Sequence, residues 1–327
     1  MKILVTGAGA VLGQGIIKSL RQSTLGCTIV AADPNPLSAG LYWADTAYRL
    51  PMADDPAFGA RIEALLERER PDAVLVGTDV ELSYFAAHRA ALEAGFDTQV
   101  IVSDPRVIAI ADDKYETYRF FRDAGFHPPA SARSEDLAAI GALIDGVGFP
   151  LVVKPRVGAR SVGVSIVRNM AELDRALEGR TQLVVQECVG TSDGEYTAGA
   201  LVFDGEVQGS IVMRRDLRDG NTYRAYVDDY DALNLSVQAF AAALGPHGPA
   251  NFQFRLDRNG MPRVFEINAR FSGTTPMRAI AGFNEVEMSL RRLLHGTPIV
   301  QPAIRPGVIL RYLEEAFVDA ARIDAVS

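Results

Sequence analysis

The sequence predicts two consecutive units: an α/β unit with a parallel sheet over residues 1–111, and an α+β unit with antiparallel strand pairs over residues 112–327. Strand and helix patterns alternate over the first 110 residues, which is typical of a parallel sheet with helices on both faces. Strand patterns dominate afterwards, often without a helix between them. A strong turn signal, Asn259-Gly260, joins two of these later strands.

The first unit is predicted from its hydrophobic periodicity. Its strands are expected at residues 2–6, 28–32, 73–76 and 99–102. A glycine-rich turn at 7–15 and helical patterns up to 22, at 57–69 and at 80–94 connect them. Ligands of such sheets bind beyond the carboxyl ends of the strands. We therefore expect the glycine turn, Asp33 and Thr78-Asp79 along one edge.

The second unit begins with a helix predicted at 112–124, with Asp112 or Asp113 near its N-cap. Strand patterns follow at 150–154, 162–167, 182–187, 195–203, 206–213, 249–257 and 262–268. Helical patterns separate some of them, at 135–145, 170–178, 229–244 and 284–294. This mixture predicts antiparallel sheets partly covered by helices.

Composition narrows the class of protein. Of the 327 residues, 48% are hydrophobic and 23% are charged, as in ordinary globular proteins, and the formal net charge is -8. An acidic chain without a basic stripe does not suit nucleic acid. No apolar run reaches the roughly 18 residues of a membrane span, and the N-terminus resembles a strand rather than a signal sequence. We expect a cytoplasmic protein with neither nucleic acid nor membrane as partner.

Lysine is rare in this chain, which makes its positions informative. Lysine occurs at only four places, Lys2, Lys18, Lys114 and Lys154, and every other basic position is arginine. Lys154 closes the apolar stretch 149–155, and a loop with two glycines, Gly158–Gly163, follows. Such a loop can fold over phosphates with backbone N–H groups as donors, although it is not a Walker A loop. The alternative is a lysine that simply reaches solvent at the end of a strand.

The Asn259-Gly260 turn predicts a hairpin whose two faces differ. With a two-residue turn, Gln253 lies opposite Glu266 and Asn251 opposite Asn268, all four on one face. The other face carries Phe252, Phe254, Phe265 and Ile267, which suits a core. Oxygen ligands from a few side chains, completed by phosphates, are the usual ligands of Mg²⁺. A solvated polar face is the alternative.

These segments, in this order, resemble the ATP-grasp superfamily, in particular its carbamoyl-phosphate-synthase-like and carboxylate–amine ligase branches. The resemblance covers roughly residues 1–300. It rests on Asp113-Lys114, residues 149–155, the Gly158–Gly163 loop, Val185-Gln186-Glu187, Glu195, Gln253 and residues 265–273. It implies a Rossmann-like domain before the ATP-grasp fold, with a smaller lid subdomain at about 128–187 and a larger one at about 188–312.

The resemblance also implies ATP and Mg²⁺ (or Mn²⁺) as cofactors, and residue roles. Lys114 and Lys154 would hold phosphates, with Gly158, Ser161, Val162 and Gly163 closing over them. Adenine would lie against the backbone of Gln186, Glu187, Cys188 and Val189, and Glu187 or Glu195 would bind the ribose. Gln253, Glu266 and Asn268 would hold the metal, and Arg270 the transferred phosphate. The first metal ligand is commonly an acid in the family, so Gln253 removes one negative charge.

The chemistry implied is activation of a carboxylate as an acyl phosphate, followed by attack of an amine. Small-molecule acids and amines are therefore the expected partners, and a homodimer is left open. Arg214, Arg215 and Arg224 lie between two strands of the larger subdomain and are candidates for binding the substrate carboxylate. Arg215 and Arg270 are the expected catalytic residues. Ser272, Thr78 and Asp79 are further candidates for the substrate.

Three alternatives remain open at this point. A bicarbonate-activating enzyme of the same fold would form carboxyphosphate. A non-catalytic module would bind ATP alone. A nicotinamide-dependent oxidoreductase would use the glycine turn and Asp33, but the glycine spacing fits dinucleotides only loosely and no Tyr-x-x-x-Lys pair occurs.

Overall fold

A computed structural model of the chain describes residues 1–158, 161–190 and 194–326. Its first sheet is wholly parallel, with strand order β3-β2-β1-β4-β5. The strands are β1 (Lys2–Val5), β2 (Thr28–Asp33), β3 (Thr46–Arg49), β4 (Ala73–Leu75) and β5 (Gln99–Ile101). The helices are α1 (Val11–Gln22), α2 (Ala39–Tyr42), α3 (Phe58–Glu69), α4 (Leu82–Phe96) and α5 (Pro105–Asp112), with a 3-10 turn at Asp79–Glu81. The predicted α/β unit is confirmed, with β3, α2 and α5 in addition.

The glycine turn lets the first helix pack closely on the sheet. The Gly13 N–H donates to the Gly77 carbonyl at 3.0 Å, and a Cβ at Gly13 would lie 2.2 Å from the Gly7 oxygen. The Asp33 carboxylate accepts from the Gly9 N–H at 2.7 Å and from the Ser38 hydroxyl at 2.7 Å. Asp33 is therefore used within the fold, and the turn needs glycine for close packing.

A four-stranded sheet of order β6-β9-β7-β8 occupies the range predicted for the lid. Its strands are β6 (Ser131–Arg133), β7 (Leu151–Pro155), β8 (Ser165–Val167) and β9 (Leu183–Glu187), with helices α7 (Leu137–Val147) and α8 (Met170–Leu177). The linking helix α6 (Lys114–Asp123) precedes it. Its N-cap is Asp113, whose carboxylate accepts from the N–H groups of Tyr115 and Glu116, as the sequence predicted.

The third sheet has six strands in the order β14-β13-β10-β11-β12-β15. They are β10 (Glu195–Phe203), β11 (Glu206–Arg218), β12 (Asn221–Val227), β13 (Gly248–Leu256), β14 (Pro262–Asn268) and β15 (Gly307–Leu310). The helices are α9 (Asp231–Leu244), α10 (Thr275–Ile280), α11 (Glu285–His295) and α12 (Ala320–Asp324). A continuous apolar core joins this sheet to the first one. None of the described helices is long and apolar enough to cross a membrane.

The β13–β14 hairpin confirms one predicted register and corrects another. Gln253 pairs with Glu266, and Asn251 with Asn268, as predicted. The turn is longer than the predicted two residues, because Leu256 pairs with Pro262 and the Asp257 N–H donates to the Met261 carbonyl. A bulge at Phe265, between the pairs Phe254–Val264 and Gln253–Glu266, restores the predicted register.

The prediction that Phe265 faces the core is therefore wrong. The bulge turns its ring to the same side as Lys154, whose Nζ lies 5.3 Å from the ring centroid, while Val264 takes the buried position opposite Phe254.

Candidate functional site

A cavity of about 920 Å³ lies between the three sheets. Its wall combines the glycine turn, the start of α6, the lid strands and the inner face of the six-stranded sheet. All predicted site residues except Gly163, Arg214 and Arg224 line it. Thr78, Asp79 and Ser272 lie at the side formed by the first sheet and the segment after β14. The predicted edge of the parallel sheet thus faces the same cavity as the predicted phosphate and metal residues.

Lys154 is a buried cation in the cavity wall. Its Nζ donates to Gln186 Oε1 at 2.8 Å and to the Phe265 carbonyl at 3.3 Å. Burial lowers the pKa of Lys154 to about 7, against an ordinary value of 10.5. No carboxylate within the described residues forms an ion pair with it. Such a group is stabilised by an anion that enters the cavity.

Lys114 is the second cation predicted to bind phosphate. Its Nζ donates to the Gly158 carbonyl at 2.7 Å, at the start of the glycine loop. Arg156 and Asp113 form an ion pair with atoms 2.5 Å apart and hold the same loop against α6. The predicted residues Ser161 and Val162 also line the cavity, whereas residues 159 and 160 of the loop lie outside the described residues. Lys114 and the loop are thus placed together.

The carboxyl end of β9 places two polar side chains, Gln186 and Glu187, at the cavity wall. Gln186 is buried, and its Nε2 donates to Ser131 Oγ at 2.8 Å. The Glu187 carboxylate accepts from the Ala130 N–H at 3.0 Å and from Arg263 at 2.8 Å. The segment from Glu187 to Val189 lines the cavity, consistent with its predicted place against adenine. The Glu187 carboxylate itself is engaged by protein partners.

Glu195 and Arg215 form a buried ion pair across β10 and β11. Arg215 Nη2 lies 2.6 Å from Glu195 Oε1, and Arg255 Nη2 lies 2.9 Å from Glu195 Oε2. Burial alone would raise the pKa of Glu195, but the two guanidinium groups more than offset it and the pKa is lowered. Arg215 also donates to Gln253 Oε1 at 2.6 Å. Glu195 and Arg215, both predicted for the site, therefore line the cavity as an ion pair.

The hairpin face carries the predicted metal ligands. Gln253 Nε2 donates to Glu266 Oε1 at 2.9 Å, and Asn268 Nδ2 donates to the same oxygen at 3.1 Å. Glu266 lines the cavity, and every hydrogen bond to it from the described residues falls on Oε1, so Oε2 has no donor among them. One carboxylate oxygen beside two amides fits Mg²⁺ that takes its other ligands from phosphates and water. No group of three or more acid, histidine or cysteine side chains with metal-ligand geometry occurs in the described ranges.

Arg270 connects the hairpin to the first unit. Its guanidinium lies 2.7 Å from Asp79 Oδ1 and donates to Asn268 Oδ1 at 2.8 Å. The predicted substrate residue Asp79 thus orients the predicted catalytic arginine. This places a fixed cation beside Asn268, which itself donates to Glu266.

Arg214 and Arg224 do not line the cavity, and we withdraw them as substrate ligands. Alternation along β11 turns Arg214 to the face opposite Arg215. On that face Arg214 and Arg224 each lie 3.6 Å from the Asp216 carboxylate, and the Arg214 guanidinium lies 3.8 Å from the Tyr226 ring centroid. Gly163 does not line the cavity either; it packs near Pro155.

The cavity wall also contains residues that sequence reasoning did not assign to the site, among them Arg255, Phe265 and Arg311. Arg255 could have been found, because it follows Gln253 by two positions on the same face of β13. Phe265 could not, because its bulge leaves no local signal. Arg311 follows the last strand of the sheet and enters the cavity from the far end of the chain.

The fold and the cavity define a class of architecture: a parallel-sheet domain, a four-stranded sheet and a six-stranded antiparallel sheet around one cavity. Comparison with known families agrees. Models of the "ATP-grasp domain" and of the "ATP-grasp in the biosynthetic pathway with Ter operon" match residues 111–242 and 180–316. The "PylC-like, N-terminal domain" matches residues 3–101. Together the two ATP-grasp models match residues 111–316, which confirms the resemblance that the sequence indicated.

The similar proteins share low sequence identity with this chain, but the similarity covers most of its length. The N-terminal section of the carbamoyl phosphate synthase large chain of Methanopyrus kandleri is 25% identical over 315 residues, covering 86% of this chain and 54% of that one. The chain thus spans about half the length of that relative. The biotin carboxylase domain of the Hydrogenobacter thermophilus 2-oxoglutarate carboxylase, solved with MgADP and bicarbonate, has a TM-score of 0.73 at 20% identity and coverages of 94% and 73%. The L-amino acid ligase of Bacillus licheniformis has a TM-score of 0.67 at 20% identity and coverages of 90% and 74%.

Proposed function

We infer that this protein is an ATP-dependent ligase that activates a carboxylate as an acyl phosphate, condenses it with an amine, and releases ADP and phosphate. The observation that carries this proposal is the charge arrangement of the cavity. Lys114 and Lys154 lack a carboxylate partner among the described residues, and Glu266 Oε2 and Arg270 lie in the same wall. This combination suits a triphosphate with Mg²⁺ or Mn²⁺.

The residues of this chain divide the work of the reaction. Lys114 and Lys154 would bind the phosphates, and Glu266 with Asn268 and Gln253 would hold the metal, which neutralises phosphate charge when bound. Arg270 would orient the γ-phosphate for attack by a carboxylate oxygen. The bond between the γ-phosphorus and ADP then breaks, and catalysis of such a step is mainly positioning and charge neutralisation.

The second step joins the nitrogen. The amine attacks the acyl carbon, loses a proton, and phosphate leaves with one oxygen of the original carboxylate. The glycine turn and Thr78-Asp79 line the same cavity as Arg270, so small acids and amines would bind on this side of it. Exclusion of water by the lid would protect the acyl phosphate.

A second candidate is activation of bicarbonate, which the names of the similar proteins favour. One relative is a carbamoyl phosphate synthase section, and one solved structure is a biotin carboxylase domain holding bicarbonate. The likeness of the fold to an L-amino acid ligase, together with a first unit that matches the PylC-like model, favours the first candidate instead. The large cavity, about 920 Å³, also accommodates more than bicarbonate beside a nucleotide.

The test is turnover of ATP by the purified protein with Mg²⁺ against crossed panels of carboxylic acids and amines. Chromatography would separate ADP, AMP, phosphate and pyrophosphate. ADP and phosphate that require both an acid and an amine support the ligase, whereas ADP formed with bicarbonate alone supports the second candidate. Glu266→Gln should lower turnover by about 10²-fold or more, and Arg224→Gln, outside the cavity, should leave it unchanged. AMP with pyrophosphate, or no turnover with any pair, would refute the proposal.

A further inference from the structure

The cations of the cavity wall fall into two groups. Six cationic side chains line it: Lys114, Lys154, Arg215, Arg255, Arg270 and Arg311. Three of these pair with carboxylates, Arg215 and Arg255 with Glu195, and Arg270 with Asp79. The other three form no ion pair with any residue that the structure describes. Two of them are the lysines assigned above to phosphate, so the remaining cation, Arg311, has no assigned role.

Among the described residues, the hydrogen bonds that hold Arg311 in the wall are to backbone carbonyls. It follows β15, and its N–H donates to the Tyr223 carbonyl at 2.9 Å. Its Nη2 donates to the Gly273 carbonyl, and its side chain is half-buried. Burial lowers the pKa of Arg311, and no nearby carboxylate opposes this effect. A guanidinium has five N–H donors, so most remain available to a ligand in the cavity.

The position of Arg311 brings it near Arg270. Its carbonyl partner, Gly273, lies two residues beyond Phe271, whose carbonyl accepts from Arg270 Nη1 at 3.2 Å. Two residues of chain span at most about 7 Å. The two acceptor residues are therefore close together, which leaves both guanidinium groups within reach of one small molecule. Ser272, between the two acceptor residues in sequence, lines the same wall.

We propose that Arg311 binds a second, non-reacting carboxylate of the acid that this enzyme activates, so that the preferred acid carries two anionic groups. The proposal rests on the proposed ligase function and specifies its substrate class. The reacting carboxylate lies beside Arg270 and the γ-phosphate, and the second carboxylate accepts two parallel N–H bonds from Arg311. A bidentate arginine is well suited to a planar carboxylate. A substrate amide at that end would lose this charge-assisted pair.

The proposal predicts a preference that binding can measure without knowledge of the natural acid. The probes are succinate, glutarate and adipate, each with its half-amide, titrated calorimetrically into protein that holds Mg²⁺ and a non-hydrolysable ATP analogue. The best-bound diacid should bind roughly tenfold or more tighter than its half-amide, the effect of one charge-assisted interaction. Arg311→Gln should remove that difference, and Arg311→Lys should retain part of it.

Arg224→Gln is the matched control, because it removes an arginine of the neighbouring strand from the opposite face of the sheet. It should leave the preference for the diacid unchanged. Arg311→Lys keeps a cation at the site and so remains informative if Arg311→Gln fails to fold, which circular dichroism would show. A wild-type protein that binds every diacid and its half-amide equally, or an Arg311→Gln variant that keeps the preference, would overturn the proposal.

The same titrations distinguish this inference from the proposed function. Binding of the ATP analogue without any diacid preference would refute the role of Arg311 and leave the ligase intact. Failure to bind the analogue would refute the ligase, while titrations without nucleotide would still show whether Arg311 selects diacids. Once an acid that supports turnover is found, Arg311→Gln should raise its KM and change kcat little.

Discussion

Replacing Lys154 with methionine should weaken binding of Mg·ATP and, in the same variant, stabilise the nucleotide-free fold. Lys154 is only 5% exposed and has no ion-pair partner within the described residues. Methionine keeps the apolar stem of the side chain and removes the buried ammonium group. A residue that serves only the fold would not combine these two opposite effects, because its loss would destabilise the protein.

The expected loss of affinity follows from the contact that the ammonium group would make with phosphate. A hydrogen bond to a charged group contributes about 1.5–3 kcal/mol. The Kd for Mg·ATP should therefore rise roughly 10- to 150-fold, since about 1.4 kcal/mol corresponds to a factor of ten.

The expected gain in stability follows from the pKa. Burial lowers the pKa of Lys154 from 10.5 to about 7, so between these values the unfolded chain binds a proton that the folded protein has released. The stability of the wild type therefore rises with pH across this interval, by about 1.4 kcal/mol for each pH unit. At pH 8 the remaining cost is about 3 kcal/mol. Lys154→Met should be more stable than the wild type by part of this amount, because it also loses the hydrogen bond to Gln186. The stability of the variant should not show this rise with pH.

The assays are isothermal titration calorimetry with Mg·ATP and urea denaturation at pH 7, 8 and 9. Lys18→Met is the control: this exposed lysine of α1 stacks on Trp43, with its Nζ 5.0 Å from the ring centroid, and does not line the cavity. Its removal should leave the Kd unchanged. A Lys154→Met variant that binds Mg·ATP as tightly as the wild type would refute the phosphate role. One that is less stable than the wild type at pH 8 would refute the account of its burial.

Three further predictions concern other charged groups. Glu266→Gln should lower ADP formation by about 10²-fold or more and raise the Mg²⁺ concentration required, as a Mg²⁺ titration of turnover would show; unchanged Mg²⁺ dependence would count against Glu266 as a ligand. Burial raises the pKa of Glu81 from 4.5 to about 7, so between these values the folded protein binds a proton that the unfolded chain has released, and stability falls as pH rises. In urea denaturation at pH 8, Glu81→Gln should be more stable than the wild type by up to about 3 kcal/mol. Equal stability of the wild type at pH 5 and pH 8 would contradict this. Arg278→Met should lower the free energy of unfolding by about 3–5 kcal/mol, because it leaves the fully buried Glu285 without its ion-pair partner at 2.9 Å. The double variant Arg278→Met with Glu285→Leu should recover most of this loss. Additive losses from the two substitutions would contradict the pairing.

The sequence was sufficient to predict residues whose local pattern determines their place. Lys154 ends a buried strand, so its side chain had to leave the core toward an interior cavity or solvent. The pairs Gln253–Glu266 and Asn251–Asn268 follow from period-two alternation, and the structure confirms both. Alternation also separates Arg215 from Arg214, yet the three arginines were grouped by proximity in sequence, and two of them face away from the cavity.

Other features depend on contacts between distant segments. The bulge at Phe265 restores the strand register that the longer turn shifts, and no residue pattern in the hairpin predicts it. Strand β3 is short and has a single buried side chain, Tyr48, so its pattern is too weak to detect. Arg311 reaches the cavity because β15 pairs with β12, whose partner residues lie 80 to 86 positions earlier in the chain. Tertiary pairing of this kind leaves no periodic signal at the residue itself.

The measurement that tests the central claim most directly is transfer of oxygen from the acid to phosphate. The acid that supports turnover would be prepared with ¹⁸O in its carboxylate, and the inorganic phosphate would be analysed by mass spectrometry or ³¹P NMR. Attack of a carboxylate oxygen on the γ-phosphorus predicts one ¹⁸O in each phosphate released with ADP. Phosphate without label, or label recovered in AMP, would contradict an acyl phosphate and with it the roles assigned to Arg270 and Glu266.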